Sequence, residues 1–308
     1  MAISEKFIGK KYPDLVYTVG KEKLLEFLIA TKADQEKFKE IAPPTFPVVY
    51  GHELLWSVLF DQDLKLNLAK LVHGEQEFIY HKPVRVGDTI TTKARIEKIF
   101  QKGPHDFIVM VSDSTNQAGE DVCTSIWTFV IRGGNDKDFS FKEKLMVKLM
   151  SMAPPCPRAK AKQMKALAEI QELSGTDIAL DRAVQDAHYN NGDQYKVFID
   201  KYMPQVYAGA SGDFNIIHLD VDFGRKVGLG GNILHGMATM ALGANLFMAG
   251  KEPGSIKRYR VRFSDIVKPM DSLTYQGKWQ GTSFEFKGKN HLGKEVLSSG
   301  LAEFSAYV

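Results

Sequence analysis

The chain contains one pattern twice. Val84-Arg-Val-Gly-Asp88-Thr-Ile-Thr91 is matched by Val267-Lys-Pro-Met-Asp271-Ser-Leu-Thr274, 183 positions later. The same offset sets His52 of VVYGHELLW under His235 of NILHGMATM. An offset of 174 sets Asn116-Gln-Ala-Gly119-Glu-Asp-Val122 under Asn290-His-Leu-Gly293-Lys-Glu-Val296. Helix, strand and turn signals recur in the same order, and 308 residues suit two packed units of about 150 each. The repeat therefore decides the architecture before any single element is assigned.

Within each copy an apolar helix precedes several long strands. In the first, EFIYHKPVRVGDTITTKARIEKIF and HDFIVMVSDSTNQAGEDVCTSIWTFVI alternate in polarity and are rich in β-branched and aromatic residues, with NQAGED as the hairpin turn. In the second, KRYRVRFSDIV, SLTYQGKWQG, SFEFKGKN and VLSSGLAEFSAYV read as strands, with NHLGKE as the turn. A helix against an antiparallel sheet, used twice, is an α+β layer architecture. The expected units are 1–133 and 194–308, joined by a helical and polar linker over 134–193.

The linker carries a basic bias: between Lys142 and Ile170 there are seven Lys or Arg side chains and two acidic ones, Glu143 and Glu169. Its plain meaning is a solvated connector; the sharper alternative is a docking surface for an anionic carrier or phosphates. Over the whole chain, 40 Lys and Arg balance 37 Asp and Glu, which argues against a broad nucleic-acid-binding face. Cys123 and Cys156 cannot form a disulfide framework or a CxxC zinc site. The opening MAISEKFIGKKYPD lacks the apolar stretch of a secretory signal, so a cytoplasmic location is expected.

Between Lys226 and Lys251 there is no charged residue. Gly228, Gly230 and Gly231 break its first part, and a helix from Gly236 to Ala249 would be only ~21 Å long against a hydrocarbon core of ~30 Å. A short helix buried in protein is expected, not a membrane span. Met237, Met240, Phe247 and Met248 fall on its buried face.

The chemistry concentrates in Ser211-Gly212-Asp213-Phe214-Asn215-Ile216-Ile217-His218. Five positions put Asp213 and His218 on opposite faces of a strand and about 140° apart on a helix. Only a tight turn can bring them together, and Gly212, Asp213 and Asn215 are turn-building residues. An isolated Gly-Asp-x-Asn is usually just a turn with Asx hydrogen bonds. Ser211 lies outside any G-x-S-x-G elbow, which counts against a serine hydrolase. No histidine shows metal-ligand spacing, and His52, His73, His81, His105, His188 and His291 read as surface or core residues.

These residues resemble the signature Gly-Asp-x-Asn-Pro-aliphatic-His of the MaoC-like dehydratases, the (R)-specific enoyl-CoA hydratase (hydratase 2) family. Gly212, Asp213, Asn215, Ile217 and His218 match, and Ile216 stands where the family usually has Pro. Ile233-Leu-His235-Gly236-Met237 is similar to the family's helix start, and RVRFSDIVKPMDSL to its strand leading to a Pro-Gly-Asp turn, with Met270 for Gly.

The resemblance implies a double hot-dog fold, two helix-wrapped antiparallel sheets forming a pseudo-dimer, with the first copy similar to the N-terminal dehydratase domain of fused forms. It implies a metal-free, cofactor-free hydro-lyase acting on trans-2-enoyl or (R)-3-hydroxyacyl thioesters of coenzyme A or acyl carrier protein, in fatty acid metabolism. Asp213 and His218 would act through one water, with Asn215 organising the loop. Backbone N–H groups at Gly236 would hold the thioester oxygen. His235, Met237 and Met240 are candidate substrate-binding residues, His235 also packing or capping at the helix start.

The 183-residue offset sets Ala30 and Gln35 opposite Asp213 and His218, so a single active site per chain is expected. A homodimer of double hot-dogs is a further expectation. The alternatives are a hot-dog thioesterase and a non-catalytic acyl-thioester-binding subunit.

Overall fold

The computed structural model describes residues 3–68, 70–135, 189–190 and 192–305. The first copy begins with strand β1 (Leu15–Thr18) and helix α1 (Lys21–Ala30), then an apolar helix α2 (Pro47–Leu59). Four strands follow: β2 (Leu71–Tyr80), β3 (Thr89–Lys102), β4 (His105–Thr115) and β5 (Asp121–Ile131). The second copy opens with β6 (Tyr189–Asn190), β7 (Gln194–Phe198) and helix α3 (Met203–Ser211). Two short helices, α4 (Ile216–Leu219) and α5 (Val221–Lys226), lead to the apolar helix α6 (Gly236–Met248). Strands β8 (Ile256–Phe263), β9 (Ser272–Gln280), β10 (Ser283–Lys289) and β11 (Glu295–Phe304) complete it.

Among the described residues these strands form one antiparallel sheet in the order β1-β3-β4-β5-β2-β8-β11-β10-β9-β7-β6. Apart from β6 the order is a palindrome about the β2–β8 seam, the double hot-dog arrangement the repeat requires. The seam joins the copies through backbone pairing of Glu75 with Arg262 and Glu77 with Arg260, and Arg258 Nε donates to Glu77 Oε1 at 2.6 Å. Opposite charges across neighbouring strands add a few tenths to about 1 kcal/mol each to a seam already held by ladder hydrogen bonds.

The repeated turns are the same structure. Asn116 Oδ1 accepts the N–H groups of Ala118 and Glu120, and Asn290 Oδ1 those of Leu292 and Lys294. Each turn has a left-handed glycine, Gly119 or Gly293.

In the second copy Phe247 of α6 meets the rings of Tyr259, Phe284, Phe286 and Phe304 at 4.9 to 6.1 Å. Burying one such ring contributes about 1.5–3 kcal/mol. The helix is further tied to the sheet by the hydroxyls of Tyr259 and Tyr275, which donate to the carbonyls of Met240 and Thr239.

Two expectations shift. Helix α2 begins at Pro47 and α6 at Gly236, so His52 lies within its helix while His235 precedes the other; the two are not equivalent, because the segments leading into the helices differ in length. The second copy's sheet starts at Tyr189, ahead of the expected boundary. The basic stretch from Lys142 to Ile170 lies outside the described residues. Among those described, no helix is long and apolar enough to cross a membrane.

Candidate active site

The bend after α3 is built by its own side chains. Gly212 ends the helix in the left-handed region at φ 83°, a conformation that costs a residue without Cβ little. Asp213 Oδ1 then accepts the N–H of Asn215 at 3.1 Å, and Asn215 Oδ1 accepts that of Ile217 at 3.3 Å and so caps α4. Ile216 is the first residue of α4, the position where proline is favoured. Its substitution there removes a preset φ and leaves the cap intact.

The bend and the start of α6 bring Asp213, His218 and His235 together, each with a ligand atom within 4.8 Å of the others. The hydrogen-bond partners fix the imidazole tautomers, because a carbonyl can only accept. His218 Nδ1 donates to Ile233 O at 2.9 Å, which leaves its Nε2 with a lone pair. His235 Nε2 donates to Asp213 O at 2.9 Å, which leaves its Nδ1 buried without a partner. His235 makes no side-chain cap to α6, so its part at the helix start is to brace the Asp213 loop.

The electrostatics follow from burial. His218 is 7% exposed and His235 1%. Burial, assisted by the neighbouring imidazoles, lowers both from the usual 6.5, His235 to about 3, although Asp213 opposes the shift. Burial works to raise the Asp213 carboxyl, but His52, His235 and His218 outweigh it and hold it well below the ordinary carboxylate range. At neutral pH the site is therefore a carboxylate beside neutral imidazoles.

An oxygen and a nitrogen no more than 4.8 Å apart match one bridging water: two bonds of ~2.8 Å at a tetrahedral angle span ~4.6 Å. The same three groups are an unfavourable metal cage. The rings of His218 and His235 stack at 3.7 Å with 25° between planes, so their lone pairs lie in separate, nearly parallel planes. Ligands on one tetrahedral ion lie ~3.4 Å apart and converge.

Gly236 opens α6, where the first N–H groups have no carbonyl within the helix. A Cβ at Gly236 would lie 3.2 Å from the Phe263 ring, so glycine lets the chain pass close to that ring. Met237 is buried beside it, and Met240 is wholly enclosed in the core between helix and sheet.

Two histidines read as core or surface from sequence also face this place. His52 Nε2 of α2 lies 3.6 Å from Asp213 Oδ1. His73 of β2 packs on Trp127, Phe129 and Phe263, its pKa lowered by burial to about 4. Both come from the first copy, and no local spacing announces them. His291 instead binds Asp271 at 2.5 Å, His81 lies beside Thr124, and His105 accepts the N–H of Gly133.

Two family models match separate parts of the chain. Residues 6–125 match the FAS1-like dehydratase domain region and residues 186–298 the MaoC like domain. A UPF0336 protein of Saccharopolyspora erythraea is 36% identical over 43% of this chain and 94% of its own length. A probable enoyl-CoA hydratase 2 of Dictyostelium discoideum is 22% identical over 97% of this chain and 95% of its own. A solved MaoC-like dehydratase superposes with a TM-score of 0.73 at 21% identity, over 98% of this chain and 99% of that one.

Proposed function

We propose, since this chain belongs to the MaoC-like dehydratase family, that it reversibly hydrates trans-2-enoyl thioesters of coenzyme A or an acyl carrier protein to (R)-3-hydroxyacyl thioesters. The observation that carries the proposal is that Asp213, ionised, and His218, whose Nε2 is left with a lone pair, bring ligand atoms within 4.8 Å of each other across one bend. Both are acceptors, so one water can donate a hydrogen bond to each.

Hydration then balances within the site. The water oxygen bonds to the β-carbon of the enoyl thioester, and one water proton passes to the dyad. The pair returns a proton to the α-carbon as the enolate-like thioester collapses. Dehydration is the reverse. The two groups titrate as a coupled unit, so the proton belongs to the pair rather than to one residue. The N–H groups at the start of α6, Gly236 first, stabilise charge developing on the thioester oxygen, a role supported by their lack of carbonyl partners within the helix. His235 holds the backbone of Asp213, and the acyl chain runs past Met237, a role supported only by its being buried next to Gly236 in sequence.

The test is a panel of trans-2-enoyl-CoA substrates of increasing chain length, followed by loss of the conjugated thioester. Chiral analysis of the product should give the (R)-3-hydroxyacyl thioester. Release of free thiol without change in the enoyl group would select a thioesterase instead, and binding without turnover a carrier-binding subunit.

A further inference from the structure

The first copy sends a side chain into the site of the second. His52 occupies the sixth position of α2 and its side chain is 4% exposed. Trp56, one turn later, donates its indole N–H to His52 Nδ1 at 3.0 Å, and the two rings meet edge to face. An indole N–H only donates, so His52 Nδ1 is an acceptor and the ring proton sits on Nε2. That N–H makes no hydrogen bond of its own, and the nearest carboxylate oxygen, Asp213 Oδ1, is 3.6 Å away. Oδ1 also accepts the Asn215 N–H.

We propose that His52 is a positioning residue for the Asp213 carboxylate. Together with the Asn215 N–H, its Nε2–H occupies Oδ1, so that Oδ2 is the oxygen presented to the water shared with His218. The two copies thereby build one site, the second supplying the reacting pair and the first its orienting donor. The small remaining gap closes to a charge-assisted hydrogen bond when substrate fills the site and the carboxylate is desolvated. The meaning for rate rests on the hydratase reading; the effect on the carboxylate does not.

The groups facing Asp213 are His52 from α2, His218 from α4, His235 before α6, His73 from β2 and Tyr207 from α3. Among the described residues, His52 is the one whose ring nitrogen lies within 4.0 Å of an Asp213 carboxylate oxygen; His235 binds the Asp213 carbonyl and His218 the carbonyl of Ile233.

The experiment compares His52→Leu and His52→Gln in the full chain, with thermal unfolding to confirm folding. On a short trans-2-enoyl-CoA, His52→Leu should lose about 10- to 100-fold in kcat, the usual cost of misplacing a catalytic group, with KM little changed and the acid limb of kcat/KM moved to higher pH. His52→Gln, which keeps an N–H donor, should recover most of that loss. Independently of turnover, carboxyl-carbon NMR of Asp213, assigned with Asp213→Asn, should show it titrating at higher pH in His52→Leu.

A folded His52→Leu protein with the wild-type rate, pH profile and Asp213 titration overturns the proposal. Equal damage from Leu and Gln also overturns it, because it marks a packing role. If the wild type hydrates no enoyl thioester, the hydratase reading fails alone; the titration still decides for or against His52.

Discussion

In the second copy the bend after α3 carries Asp213 and His218, and helix α6 opens on Gly236. The first copy has the same layout with other atoms in those places. Counted from the left-handed residue that follows each leading helix, Lys32 in one and Gly212 in the other, Asp213 corresponds to Ala33 and His218 to the buried Phe38, not to the Ala30 and Gln35 that the 183-residue offset sets there. Helix α2 opens on Pro47, which has no N–H to offer a thioester oxygen. The carboxylate, the imidazole and the helix-start donor are all missing from one copy while the palindromic sheet is intact. Fold resides in the strands and the central helix, whereas the proposed chemistry resides in a few loop positions that can change without disturbing the layers.

The largest effect expected from this contrast is at the dyad. Asp213→Asn and His218→Gln should each reduce kcat for enoyl-CoA hydration by about a thousandfold, within the usual worth of positioned acid–base groups, with thermal unfolding little changed. Substitution of Asp34, the first copy's nearest carboxylate in sequence, should leave turnover unaltered. Loss of activity at Asp34 would mean that the first copy is not the silent one.

Next come the helix starts. Gly236→Ala should lower kcat about tenfold or more, because its Cβ must share 3.2 Å with the Phe263 ring and a displaced donor loses alignment. Pro47→Ala should leave kcat within about twofold and cost stability at most ~1 kcal/mol. Steady-state kinetics on the two variants side by side check this.

The buried histidines set the pH response. His73 and His235 have folded-state values of about 4 and about 3 against the usual 6.5. Above 6.5 neither folded nor unfolded chain binds a proton at these sites, so they cost nothing. Between 6.5 and the folded values only the unfolded chain is protonated, so stability must fall as pH falls, by about 1.4 kcal/mol per pH unit per proton. Urea unfolding from pH 7 to pH 4.5 should show this slope, shallower in His73→Phe. Because His218 is also lowered, the acid limb of kcat/KM should lie below 6.5; a midpoint at or above 6.5 would contradict a neutral His218 held by burial.

The smallest expected effect is at the matching turns before β3 and β9. Gly87 has φ 89° and its counterpart Met270 φ 68°, and their N–H groups bond to Val19 and Ile199 respectively. Met270 is 63% exposed, so its side chain gains little by packing. Met270→Gly should be stabilising by a few tenths to ~1 kcal/mol and Gly87→Ala destabilising by at least as much. Calorimetry measures both.

Much of this was legible in the sequence, for physical reasons that can be named. Period-two alternation and the Asn-x-x-Gly turns are local, so the strands and both hairpins could be read directly. The Asp213–His218 encounter was legible because Gly212, Asp213 and Asn215 shape the bend with their own backbone and side-chain bonds. His52 and His73 were not, since their approach to Asp213 depends on how two copies dock across the β2–β8 seam, and no spacing within either copy encodes it. The repeat pairs His52 with His235 as equivalents, whereas in the structure both face Asp213 as neighbours in one site. His235 itself braces a loop instead of capping its helix, a choice made by the Asp213 carbonyl lying within its reach.

The most direct test is hydration of a short trans-2-enoyl-CoA by wild type, Asp213→Asn and His218→Gln at matched concentration, with unfolding temperatures measured on the same samples. The account predicts turnover by the wild type alone and three closely similar unfolding temperatures. A folded variant that retains turnover within about tenfold of wild type would show that the carboxylate and imidazole of this bend do not share the reacting water.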